Sequence, residues 1–212
     1  MMRSLLFIGL LTASHLSTAQ MDTVWVPWTR EYTFTDGIYL SFQDLRRNAP
    51  SIPLRAITNE LGSPVMDLDD VEGPIFRTNA NGTRERFQLD AVWGYCQSGV
   101  VHVSAGTGFT RIGLMGSLAH VLYREVQRTM DPYMMQGSST YTVETQAFLD
   151  MTDGSLLPFT ASSLTKVLQR DALLLEEFHA LSKRDRNRPE TLFAYMRRYN
   201  ERHDLLMPDT AP

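Results

Sequence analysis

The stretch Ala91–Ala105 constrains this chain more than any other. It reads Ala-Val-Trp-Gly-Tyr-Cys-Gln-Ser-Gly-Val-Val-His-Val-Ser-Ala, two strand-forming runs around Ser98-Gly99. A two-residue loop ending in glycine, between such runs, spells a β-hairpin, because its turn needs backbone that glycine adopts freely. With Ser98-Gly99 as the turn, Cys96 faces Val101, Tyr95 faces His102, Gly94 faces Val103 and Trp93 faces Ser104. Strand alternation then puts Val92, Cys96, Val101, Val103 and Ala105 on one apolar face. Trp93, Tyr95, His102 and Ser104 share the other, a mixture of aromatic and polar groups that suits a half-buried or ligand-lining surface.

Turn chemistry recurs on both sides of this hairpin. Leu61-Gly62-Ser63-Pro64, Glu72-Gly73-Pro74, Asn79-Ala80-Asn81-Gly82 and Gly106-Thr107-Gly108 break residues 52–149 into short strands. Phe109–Met115 and Leu118–Glu125 continue the meander. Tyr141, Val143, Thr145, Ala147 and Leu149 line one side of a further strand, which Asp153-Gly154 turns back. Before this region, Ser41 followed by Asp44 marks a short helix, the serine oxygen capping free N–H groups.

After Pro158 the apolar period lengthens from two to that of a helix. Leu164, Val167 and Leu168 fit one helix. Asp171 caps a second carrying Leu174, Leu175, Phe178 and Leu181. Pro189 suits the first turn of a third, with Leu192, Tyr195, Met196 and Tyr199. The expected fold is therefore α+β: an antiparallel β sandwich or barrel-like meander over residues 20–158, then about three short helices in residues 159–212 that cover it.

Residues 1–19 read as a signal peptide. Arg3 precedes the apolar run Leu5–Leu11, and Ser17-Thr18-Ala19 offers small residues at a cleavage point. The run is shorter than the roughly 20 residues a membrane span needs, and no later stretch meets that length. The expectation is an exported protein, periplasmic or extracellular, with no integral membrane span. The single cysteine, Cys96, forbids an internal disulfide, so packing must supply the stability. Residues 183–203 concentrate seven arginine and lysine residues against three carboxylates. A solvated helical face accounts for this basic run, and export argues against nucleic acid as a partner.

Several segments carry a resemblance. They are Asp36–Phe42 with Asn48-Ala49-Pro50, Trp93–Cys96, Phe109–Ile112, Asp150–Gly154 and Tyr199–His203. In these the chain resembles a group of exported proteins of unknown function from Bacteroidetes. The resemblance implies an envelope or secreted protein of such bacteria and supplies no activity.

Catalytic signatures are sparse. Nucleophilic use of Cys96 would need a base in reach of the sulfur, and the hairpin register sends His102 to the opposite face. His102, His120, His179 and His203 lack zinc spacing, although His102 and His120 could meet on neighbouring strands. Asp67, Asp69, Asp70 and Glu72 lack the full calcium-loop pattern. Gly106-Thr107-Gly108 lacks the helix a phosphate loop requires. Asn81-Gly82-Thr83 matches a glycosylation sequon and also spells a turn. Trp25, Trp28 and Trp93, where exposed, would stack on sugar rings or cover a peptide, although core packing is the more frequent fate of aromatics.

The leading expectation is a non-catalytic envelope or secreted binding module with no metal or cofactor. Trp93, Tyr95, His102 and His120 are its candidate ligand-binding residues, and a small molecule, glycan or envelope protein is its partner. The rival is an envelope-polymer hydrolase using His102 or His120 with a carboxylate.

Overall fold

The computed structural model describes residues 23–65, 68, 71, 73–79, 81–130 and 138–209. The expected signal peptide and the acidic cluster Asp67, Asp69, Asp70 and Glu72 lie outside the described residues. The fold is α+β, a curled antiparallel seven-stranded sheet in the form of a half-barrel, with five helices among the described residues, mostly C-terminal. No described helix is long and apolar enough to cross a membrane.

Chain order begins with β1 (Trp25–Pro27), β2 (Gly37–Tyr39) and α1 (Phe42–Arg46). Short strands β3 (Ile57–Thr58), β4 (Ile75–Thr78) and β5 (Arg84–Phe87) follow. The meander is β6 (Gly94–Gln97), β7 (Val100–Ala105), β8 (Gly108–Leu114), β9 (Leu118–Met130), β10 (Ser138–Asp150) and β11 (Ser155–Pro158). Helices α2 (Ala161–Leu168), α3 (Ala172–Ala180), α4 (Lys183–Arg186) and α5 (Pro189–Arg202) precede β12 (Leu206–Pro208). The large sheet runs β11-β10-β9-β8-β7-β6-β2, β3-β4-β5 form a small sheet, and β1 pairs with β12.

The hairpin forms in the expected register, with Tyr95 opposite His102 and Cys96 opposite Val101. Ser98 and Gly99 both take positive φ, 52° and 75°, the turn whose twist matches that of the strands. Helix starts also follow their caps. The Ser41 hydroxyl accepts the Asp44 N–H at 3.2 Å while the Asp44 carboxylate accepts the Ser41 N–H at 2.9 Å. Asp171 caps α3 through the Leu174 N–H, and Pro189 opens α5. One feature was unexpected from the sequence: β9 and β10 are 13 residues each and pair along their whole length.

Alternation gives the large sheet two buried faces. Cys96, Val101, Val103, Ile112, Val121 and Leu149 pack with Phe34, Phe42, Leu205 and Met207, so the N-terminal segment, α1 and β12 close the first face. The second face has two separate covers. Leu118 and Phe148 are buried under α2, α3 and α5. Ile38 and Tyr95 are buried under the small sheet with Ile52, Ile57 and Ile75.

Candidate functional site

Tyr95 and His102 lie where the hairpin register places them. Their rings stack at 4.6 Å and 10°, and Phe109 meets Tyr95 edge-on at 5.2 Å. Tyr95 is fully buried in the small-sheet core, while His102 is half-buried.

Trp93 does not share that face, and this corrects the alternation drawn through residues 92–96. Trp93 packs on the Cys96 side, 5.4 Å from the Phe42 ring, while Val92 joins the Tyr95 side. The backbone shows why. The Trp93 N–H donates to Tyr39 O on one neighbouring strand, while its C=O accepts from the Ser104 N–H on the other. In a regular strand both groups of one residue point the same way. The chain therefore rotates at Trp93, just after a 3-10 turn at Leu89–Ala91, and every side chain before it changes face. Gly94 follows because β7 runs too close for a side chain. A Cβ there would collide with the His102 carbonyl oxygen.

His120 stands apart from His102. Its ring meets Phe159 at 5.3 Å and Phe193 at 4.9 Å, both edge-on, and Nε2 lies 3.1 Å from Gln146 Oε1. Burial holds its pKa below the ordinary histidine value, with the Gln146 hydrogen bond acting weakly the other way. This polar partner is an amide, whereas the rival mechanism calls for a carboxylate. Among the described residues no group of three His, Cys, Asp or Glu side chains is placed to hold a metal ion.

Cys96 is fully buried. Burial, and then the neighbouring Asp36 carboxylate, push its thiol up to about 12. The thiol donates to Asp36 Oδ1 at 3.5 Å and lies 3.8 Å from Phe34 O. A thiol held protonated this far above neutrality is a poor nucleophile.

A carboxylate–histidine contact forms elsewhere, between residues read from the sequence as cap and surface. Asp171 Oδ2 accepts from His203 Nε2 at 3.0 Å and from Arg202 Nε at 2.5 Å, and its Oδ1 caps α3. The Arg202 guanidinium holds the Asp171 carboxyl well below the usual carboxylate range. The nearby Ser117 hydroxyl donates to the His203 backbone carbonyl at 2.7 Å. This arrangement ties α3, α5 and the β8–β9 connection together.

An open concave surface lies on the other side of the molecule. The N-terminal segment is strapped across the first face by β12. Trp28 N–H donates to Leu205 O at 2.7 Å and the Tyr32 hydroxyl to Pro208 O at 3.1 Å. The Arg46 guanidinium lies 5.7 Å from the Trp25 ring centre. This strap and the ends of β7 and β8 enclose a groove of about 470 Å³. Trp28, Arg30, Tyr32 and Phe34 form one wall, Val101, Ile112 and Met115 part of the other. Its lining includes Arg30 and Arg111 but no carboxylate. Trp28 Nε1 is buried without a hydrogen-bond partner, so the ring is placed there by apolar contact. Trp28 was visible in the sequence. Arg30 and Tyr32 were missed, although Trp28, Arg30, Tyr32 and Phe34 recur at every second position. A turn closed by the Tyr32 N–H on Thr29 O bends that segment and hides the pattern.

Compared with protein-family models, with curated proteins and with solved structures, the chain matches none of them.

Proposed function

We propose that this protein is an exported, non-catalytic binding module of a bacterial envelope or its surroundings, and that it takes an acidic sugar in the groove between Trp28 and Ile112. One observation carries the reading: aromatic side chains and an arginine share a concavity that contains no carboxylate. Its volume falls within the range of small-ligand sites. Aromatic rings stack on the apolar faces of sugars, and a guanidinium takes a carboxylate through paired hydrogen bonds. Neither Arg30 nor Arg111 has an ion-pair partner among the described residues, so neither has to leave one to meet a ligand. Tyr95, stacked on His102, contributes packing behind the hairpin.

The test is titration with oligogalacturonate against a neutral galacto-oligosaccharide, by calorimetry and tryptophan emission. Only the acidic sugar should bind, more weakly as salt rises. Arg30→Ala should raise Kd at least about tenfold, the size of one lost charged hydrogen bond. Trp28→Ala should weaken binding of the same probe. Equal binding of acidic and neutral sugars, no binding of either, or indifference to Arg30→Ala would overturn the proposal.

A further inference from the structure

The distal half of the β9–β10 hairpin extends past both of its neighbours. On the β9 side the last contact is Thr107 N–H to Arg124 O. On the β10 side, β11 pairs only from Ala147 to Asp150, and Phe159 N–H reaches Gln146 O. Beyond these points both edges of the ribbon are open among the described residues. A two-stranded ribbon is marginally stable alone in water, and an open strand edge is a template for another strand.

The two edges differ in composition. The β9 edge reads Arg124-Glu125-Val126-Gln127-Arg128, three charges in five residues. Charged side chains are how proteins blunt an edge. The β10 edge reads Thr140-Tyr141-Thr142-Val143-Glu144, one charge among strong strand formers. Tyr141 is 48% exposed.

Backbone direction fixes which groups face outward. Gln146 turns its carbonyl toward β11, so alternate residues Glu144, Thr142 and Thr140 present their N–H and C=O to the same open edge. The β9 side agrees, since the carbonyls of Leu122 and Arg124 accept from β8 and its turn.

From this we infer that the β10 edge is a pairing surface for a second copy of this chain, antiparallel about a two-fold axis at Thr142. Thr142 then faces Thr142 of the copy, Thr140 faces Glu144, and Tyr141 faces Val143. No like charges meet, and each Tyr gains a β-branched partner, a favoured cross-strand pair. The pairing forms about six inter-chain hydrogen bonds and joins two ribbons into one four-stranded arm. The same operation on β9 about Val126 would set Arg124 against Arg128, which repels. The interface is small, so the dimer is a weak, concentration-dependent one.

Sedimentation velocity of the purified protein over a concentration series tests this directly. A reversible monomer–dimer equilibrium is expected, weakened at least about tenfold by Thr142→Lys, which opposes two ammonium groups at the axis. In a second test Thr142→Cys should cross-link to itself under mild oxidation, because facing residues of a hydrogen-bonded pair lie within disulfide range. Glu125→Cys, on the same ribbon but away from the axis, should not. A monomer at every concentration, a dimer indifferent to Thr142→Lys, or cross-linking no faster at Thr142→Cys than at Glu125→Cys would overturn the proposal. Circular dichroism of each variant confirms that the sheet is intact.

Discussion

The two covers on the second face of the large sheet bury similar kinds of side chain and are attached in different ways. The helical cover is tied to the sheet by partly buried polar bonds. Asn200 takes both the N–H and the C=O of Leu118 at 2.8 Å each, and Arg170 meets the buried Asp150 carboxylate at 2.8 Å. The Asp171 cluster then locks α3 to the end of α5. The small sheet meets the large one by apolar contact, the chain leading into it being held by the Ile38–Ile52 backbone bridge, and the Arg77–Glu85 ion pair across β4 and β5 is exposed. Apolar contact is tolerant of small displacements, whereas a two-sided amide bond to one backbone residue is not. The helices should therefore open only with the sheet, and the small sheet should open before it.

The largest expected effect is in the helical cover. Phe178 is fully buried in it, and Phe178→Ala should lower the free energy of unfolding by about 3–5 kcal/mol. Urea titration followed by both far-UV and tryptophan signals checks this, and the two probes should lose stability together. Ile75→Ala in the small sheet removes fewer atoms, and its effect should fall on local opening, leaving the helical signal nearly in place. Equal loss in both signals would merge the two covers into one cooperative unit.

Asn200→Ala should come next. It strips partners from the N–H and C=O of Leu118, which is fully buried, at a cost of about 1–3 kcal/mol. A loss below the error of the titration would mean that apolar contact alone holds α5. Native-state hydrogen exchange ranks the covers without mutation. Amides of Ile75–Thr78 should exchange well before those of Leu164–Leu168.

Acid should reach the helical cover first. His120 sits against its aromatic rings with a lowered pKa, so the unfolded chain binds a proton more readily than the folded one. That contribution is complete above the unfolded histidine value of about 6.5 and is lost as pH falls through it toward the folded value. Asp171 repeats the pattern lower, its contribution present above about pH 4 and lost as pH falls further. The Tm measured between pH 8 and pH 5 should decline in wild type and decline less in His120→Gln. An identical slope in both would remove His120 from the account.

These contrasts also show where sequence reading stopped. The hairpin and the helix caps were legible because a turn or a cap is a local bargain among neighbouring residues: Ser98-Gly99 supplies the positive φ, and Ser41 and Asp171 accept N–H groups three residues on. Trp93 was misplaced because its rotation is set by two strands far apart in sequence, one bearing Tyr39 and one Ser104. The groove was half legible. Trp28 was a candidate on composition, but its opposite wall at Ile112 is brought there by the curl of the sheet, which no local pattern encodes. The Asp171–His203 contact is equally non-local, and neither residue advertises the other.

The smallest effect expected is at Cys96, and its smallness is informative. The thiol lies under the strap formed by residues 23–34 on the first face, a third mode of closure beside the two covers. With the sulfur buried and its pKa pushed up to about 12, the native protein should resist iodoacetamide at pH 8 and react fully once unfolded in urea. Raising urea below the unfolding midpoint separates the strap from the sheet beneath it. Labelling that tracks global unfolding makes strap and sheet one unit, with the Trp28–Leu205 and Tyr32–Pro208 bonds holding the strap to the C-terminal segment that ends in β12. Labelling well before the midpoint would show the strap lifting alone, and the groove that it walls would then form and disappear with it.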